Sequence, residues 1–209
     1  MKKENVGKDK RNTELLYEIS AFRFVPRMWR QFLIPGVATN VEHTFRVMWI
    51  ALTLAKMEGV GNHEKILKIA LLHDLPESRT GDVHYLSRQY VTRFEEKAVK
   101  EIFADTIHEE ESLILFAEYE KRESIEAKIV KDADNLDCEL EIEELKAGGH
   151  TVGKIFSDSR KEKVKAKLFT ESARKMWDKI HATDPHDWHA KSESNRLNGG
   201  DWSKKAKKK

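Results

Sequence analysis

A single cysteine, Cys138, stands among the 209 residues. That excludes an internal disulfide and a cysteine-built zinc site, and it fits a reducing, cytoplasmic setting. No apolar run is long enough to span a bilayer. The opening Met1-Lys2-Lys3-Glu4-Asn5 leads to further charge rather than to the apolar stretch of a secretory leader. No segment sustains the alternation of a half-buried strand, and neither an internal repeat nor a second domain is evident. Net charge is also nearly absent, at +2, but it is unevenly spread. Residues 1–13 hold five Lys/Arg against two acids, and residues 191–209 hold seven against two. Removing that excess of eight from the total leaves about −6 on residues 14–190. An acidic body argues against a general nucleic-acid groove, which needs clustered cations on a folded surface. The lysines of residues 204–209 read as a solvated tail.

What is present is helical periodicity. The patterning predicts helices over residues 13–24, 39–57, 62–74, 123–146 and 158–180, with one or two acidic helices across 91–119. Pro26 and Pro35-Gly36 bracket an irregular segment. Over 39–57 two apolar stripes arise, Val41/Phe45/Met48/Leu52/Ala55 and His43/Val47/Ile50/Leu54/Met57, so His43 continues a buried face. The expected architecture is an all-α bundle of five to seven helices over residues 13–182. A basic tail of residues 1–12 would precede it and a polar tail of residues 183–209 would follow, with Trp188 and Trp202 docking that second tail on the body or a partner.

Chemistry gathers at Leu71-Leu72-His73-Asp74-Leu75-Pro76-Glu77. Pro76 disfavours helix at Leu75, so His73 and Asp74 lie at a helix terminus. Imidazole nitrogen and carboxylate oxygen together suit a borderline divalent ion. His43 on the preceding helix and the acids Asp132, Asp134 and Asp137 on a later one supply further ligands. Inward side chains from facing helices are how a bundle builds a metal site. Periodicity leaves the three acids tied. Asp134 is in line with Val130 and Cys138, Asp132 falls between Ile129 and Leu136, and Asp137 neighbours Ala133 and Leu140.

The order His43, His73-Asp74, Asp134 resembles the HD-domain metal-dependent phosphohydrolases. Asn40-Val41-Glu42-His43-Thr44-Phe45-Arg46, His73-Asp74-Leu75-Pro76-Glu77-Ser78-Arg79-Thr80-Gly81-Asp82 and Val130-Lys131-Asp132-Ala133-Asp134 are similar to segments of its 5′-deoxynucleotidase branch. The similarity covers about residues 14–180. It implies hydrolysis of deoxyribonucleoside 5′-monophosphates by a cytoplasmic enzyme, commonly a homodimer. One divalent ion, Co or Mn with Zn, Fe, Mg or Ni as alternatives, would be held by His43, His73, Asp74 and Asp134. Glu77 matches the catalytic acid, Asp82 a contact to the sugar hydroxyl, and Arg27 and Trp29 the groups facing phosphate and deoxyribose. Arg23, Arg30 and Arg46 compete with Arg27 for the phosphate. Two other readings remain at this point. One is an HD-type hydrolase of a nucleoside triphosphate, cyclic dinucleotide or alarmone; the other is a metal- and nucleotide-binding module without catalysis. Neither membrane nor specific nucleic acid is an expected partner.

Overall fold

A computed structural model describes residues 2–34 and 36–192, and the side chains of 2–6, 154, 157 and 158 are outside that description. Pro35, Trp202 and the lysines of residues 204–209 therefore lie outside the described residues. The regular structure among the described residues is all helical apart from one isolated bridge, Pro26 to Thr39. Its α-helices are α1 (Lys2–Ala21), α2 (Asn40–Glu58), α3 (His63–Leu72), α4 (Glu77–Thr80), α5 (Glu95–Phe103), α6 (Glu109–Lys121), α7 (Ile125–Ala147), α8 (Val152–Lys163), α9 (Glu171–His181) and α10 (Asp187–Ala190). Eight of these exceed two turns, one more than the upper expectation from the sequence.

The starts of the central helices follow from their caps. Thr39 and Glu42 form a reciprocal capping box before α2, and Ser124 caps α7, each satisfying amides that the first turn leaves open. At the far end of α2, Gly59 takes φ 70°, the left-handed conformation that favours glycine.

Two expectations are corrected, and a third, left open between one helix and two, is resolved. The first helix begins at Lys2 rather than Thr13. Arg11 ties α1 to the C-terminal end of α5 through the carbonyls of Ile102 and Ala104. The acidic region is two helices, α5 and α6, broken at Asp105 with φ 60°. The last amphipathic segment is likewise two helices, α8 and α9. The break is made from a distance. The Asp132 carboxylate accepts bonds from the amides of Phe169 and Thr170 at 2.8 Å each and from the Thr170 hydroxyl. The chain must therefore leave helical geometry there.

Helix α7 is the central post, packed against α2, α3, α6, α8 and α9. The larger core is built from Val47, Leu54, Ile66, Ile69, Ile129, Ala133, Leu136 and Trp177 among others. A smaller core joins Met28, Trp29, Ile34, Ile142 and Val152, with Cys138 and Phe156 against it. Of the two α2 stripes, the one containing His43 is buried from His43 to Leu54, with its last member, Met57, exposed. The other leaves Val41 and Phe45 exposed beside Trp49. Trp188 does not dock on the body. It is 79% exposed on α10, its ring edge-on to His189.

Candidate metal centre

Three helical elements, α2, α3 and α4, converge beside α7. His43 comes from the first turn of α2, one side of which also carries Asn40. His73 ends α3, and the turn that Pro76 enforces places Asp74 beside it and starts α4 at Glu77. Asp134 projects from α7. One ligand atom from each of His43, His73, Asp74 and Asp134 lies within 4.8 Å of all the others. The His43 Nε2 atom is 3.3 Å from His73 Nε2, 3.3 Å from Asp74 Oδ2 and 3.4 Å from Asp134 Oδ1. His73 Nε2 is 3.3 Å from the same Asp74 oxygen.

The outer nitrogens explain why the inner ones are free to ligate. His73 Nδ1 donates to the Ala70 carbonyl at 2.7 Å, and His43 Nδ1 to Asp137 Oδ2 at 2.5 Å. Each bond puts the ring proton on Nδ1 and leaves an Nε2 lone pair pointing inward. Two lone pairs and two carboxylates converging in a buried place repel one another unless a cation sits among them. The donor set fits a divalent ion. The site's pKa values have the same cause. Burial and the Arg27 charge oppose a second proton on His43, yet Asp134, Asp137 and Asp74 carry it well above the imidazole range, so in the metal-free chain a proton takes the Nε2 position that a metal would displace it from. Burial would raise Asp74 and Asp134. His73 and His43 hold the first, and Lys131 and His43 the second, well below the carboxylate range.

The three acids of α7 thus have three separate duties. Asp134 is in the cluster, with Lys131 at 2.7 Å on its other oxygen. Asp137 backs His43 and also takes a short bond from Arg46 Nε. Asp132 faces α9 and caps it. Arg46, which also binds Glu144 at 2.7 Å, is accordingly committed behind the site. Arg30 is exposed and Arg23 lies over the Phe24 ring. Of the four arginines, Arg27 is the one beside the cluster. It is buried, 3.6 Å from Asp74, 3.2 Å from Asp82 and 3.2 Å from Cys138 Sγ.

Asp82 Oδ2 also accepts from the Met28 amide at 2.9 Å, so it anchors the segment bearing Arg27. Trp29 is fully buried in edge contact with Phe156 at 5.3 Å, and its indole N–H has no partner. Glu77 has both oxygens engaged, Oε2 by Asn40 Nδ2 at 2.6 Å and Oε1 by Arg93 Nη1 at 2.9 Å. Burial, with Asp74 and Asp82 nearby, raises Glu77 to about 9. Beside it a cavity of about 550 Å³ is lined by Gln31, Thr80, Asp82, Ser87, Arg93 and Phe94 among others.

Sequence reasoning missed Asp137 as the group behind His43, and Asn40 and Arg93 as partners of Glu77. Asp137 did leave a signal, because His43/Arg46 and Asp134/Asp137 are i, i+3 pairs of complementary charge on facing helices. A second cluster, Glu139, Glu143 and His181, also has ligand atoms within 4.8 Å. Arg160 at 2.7 Å from Glu139 and Lys146 at 2.6 Å from Glu143 already supply its positive charge. It is an ion-pair clasp between α7, α8 and α9.

Residues 19–177 match the family model for the HD domain. The 5′-deoxynucleotidase HDDC2 of Danio rerio is 34% identical over 132 residues, 60% of this chain and 65% of that protein. The 5′-deoxynucleotidase hdd1 of Schizosaccharomyces pombe is 33% identical over 129 residues, 57% and 64% respectively. The matched stretch spans a little under two thirds of either relative's length. Among solved structures, a conserved hypothetical protein from Pyrococcus furiosus superposes with a TM-score of 0.68 at 28% identity, covering 82% of this chain and 99% of that one.

Proposed function

The chain belongs to the HD domain family, and from that premise we propose that it hydrolyses deoxyribonucleoside 5′-monophosphates to deoxynucleoside and phosphate. The observation that carries this is the convergence of His43, His73, Asp74 and Asp134 beside a buried arginine and a carboxyl outside the ligand set. The four ligands would hold one divalent ion, Co or Mn by preference. When bound, such an ion polarises the phosphoryl group and lowers the pKa of water.

The chain's own residues do the rest. Arg27 presents a planar fork to the phosphate oxygens, and Asp82 sets its position. Asp82 Oδ1, with Arg88 at 3.8 Å, is the atom that would meet a sugar hydroxyl. Trp29 is fully buried in the smaller core, so the contact to deoxyribose expected of it is not available and it acts on the site only by packing behind Arg27. Glu77, near but not among the ligands, orients the attacking water or gives a proton to the 5′ oxygen.

A monophosphate suits the site better than a triphosphate, cyclic dinucleotide or alarmone. Of the cations around it, Arg27, Arg46, Arg93 and Lys131 each have a carboxylate partner already and Arg88 stands 3.8 Å from Asp82, a small positive complement for longer phosphate chains. An intact Glu77 argues against a binding module without catalysis, since a pure binder has no evident need for an unliganded acid beside the metal. The test is phosphate release from deoxy- and ribonucleoside monophosphates after the apo protein is refilled with Co, Mn, Mg or Zn. Release from deoxynucleotides in preference to AMP supports the reading, and silence on every monophosphate with every metal overturns it.

No helix among the described residues is long and apolar enough to cross a membrane. A cytoplasmic location is proposed from the single cysteine, Cys138. The exposed Val41, Phe45 and Trp49 form one face of α2 suited to isologous pairing in a homodimer. Phe45→Glu should shift the light-scattering mass toward the monomer, and an unchanged mass would exclude that face.

A further inference from the structure

We infer that Arg93 and Asn40 are positioning residues which clamp Glu77 from opposite sides, an inference that rests on the catalytic role proposed for Glu77. Three observations carry it.

Both Glu77 oxygens accept from a different donor, Oε2 from Asn40 and Oε1 from Arg93, which fixes the plane of the carboxyl rather than only its distance. The two donors are also independent of the ligand set. Asn40 opens α2 three residues before His43, so the turn that aims the imidazole inward aims this amide as well. Arg93 stands two residues before α5, on the far side of the turn that carries Asp82. The donors differ in access as well. Asn40 is 0% exposed, whereas the Arg93 side chain is 21% exposed. Arg93 stands as a post between two cavities of about 540 and 550 Å³ that it lines together with Phe94. Its Nη1 atom also reaches Glu95 at 2.8 Å, so α5 in turn holds the arginine.

A group that steers a water or a proton must keep its geometry to within a fraction of an ångström. One fixed donor and one solvent-reachable donor give that geometry.

The experiment compares the wild type, Arg93→Ala, Arg93→Lys and Asn40→Ala, all Mn-loaded, on the best deoxynucleotide. Arg93→Ala should lower kcat about 10–100-fold while KM stays within about threefold. Arg93→Lys should recover much of the loss. Added guanidinium ion should rescue Arg93→Ala through the open cavity but leave Asn40→Ala unrescued. An unchanged kcat would overturn the clamp, as would a rise in KM alone, which would make Arg93 a phosphate ligand instead.

A second readout does not depend on turnover. In the Zn-loaded protein the Glu77 carboxyl ¹³C resonance, identified by its loss in Glu77→Gln, should move in Arg93→Ala. A resonance that stays in place refutes the clamp whatever the assay gives. A wild type silent on all monophosphates would fail the functional reading, and the resonance would still decide the clamp.

Discussion

Asp137→Asn is the most informative single change at this centre, because it alters no metal ligand and almost no volume. The carboxylate is nearly inaccessible and serves two donors, His43 Nδ1 and Arg46 Nε. An asparagine can satisfy one of them at most. With its carbonyl toward His43, its amide hydrogens face the Arg46 donor. Flipped, the amide hydrogens face His43 and favour the tautomer with the ring proton on Nε2, the atom that must ligate. Losing an outer-shell partner of a ligating histidine costs about 10–100-fold in metal affinity, or roughly 1.4–2.8 kcal/mol. The unmatched donor should cost a further 1–3 kcal/mol or so of metal-independent stability. Competition between the protein and a chelating dye for Mn or Co measures the first, and melts of chelator-treated protein measure the second. A variant that folds and binds metal within about twofold of the wild type would show that the Asp137–His43 bond does not orient the ligand.

Two further predictions separate roles that the sequence leaves merged. Asp134→Ala should abolish tight metal binding. Asp132→Ala should leave metal affinity unchanged and lower stability by about 2–4 kcal/mol, through loss of the bonds that start α9; metal loss in Asp132→Ala would reverse the assignment. The third prediction concerns pH. Glu77 is raised to about 9 in the folded chain by burial and by Asp74 and Asp82, against roughly 4.3 when unfolded. Between those values the folded state holds the proton and the unfolded state does not, so stability falls as pH rises. Metal-free Glu77→Gln should therefore gain on the wild type from pH 5 to 9 in thermal melts, and a constant gap would refute the shift.

The parts legible in the sequence are those set by neighbours along the chain. Helical periodicity gives α2, α3 and α7 nearly to the residue, because their caps Thr39, Asn62 and Ser124 are local. The His73-Asp74 pair and the turn that places Glu77 beyond it are local too, since Pro76 forces them. The family resemblance adds Asp134, and the structure puts that residue in the cluster with His43, His73 and Asp74. What stayed hidden is carried by bonds between distant segments. No pattern within residues 158–180 announces the break between α8 and α9, because the acceptor that makes it, Asp132, lies 37 residues before Phe169. The same holds for Arg93, which no periodicity marks and which matters only because the turn after Asp82 brings it back to Glu77. Trp29 shows the limit from the other side. The resemblance places it against the sugar, whereas the packing of Met28, Ile142, Val152 and Phe156 around it makes it a core residue in contact with the site through its neighbours.

The charge pattern explains why the centre needs an ion. Six carboxyls crowd the region: Asp74, Glu77, Asp82, Asp134, Asp137 and Glu141. Against them stand Arg27, Arg46, Arg93 and Lys131, each already paired. Glu141 is the weakest held, with Arg27 Nε 3.9 Å away, and burial lifts it to about 7. With Glu77 raised to about 9 and Glu141 to about 7, the four aspartates are balanced by the four cations, and a phosphate dianion entering such a hollow would meet no surplus of positive charge. The arrangement is unfavourable for an anion until two further positive charges are placed where the His43 and His73 lone pairs already point. The acids, then, do not repel the substrate by oversight of design. Under the proposed function they would reserve the site for cation and anion together, with Arg27 left to read the phosphate's shape and Glu77 kept out of the ligand set for the proton.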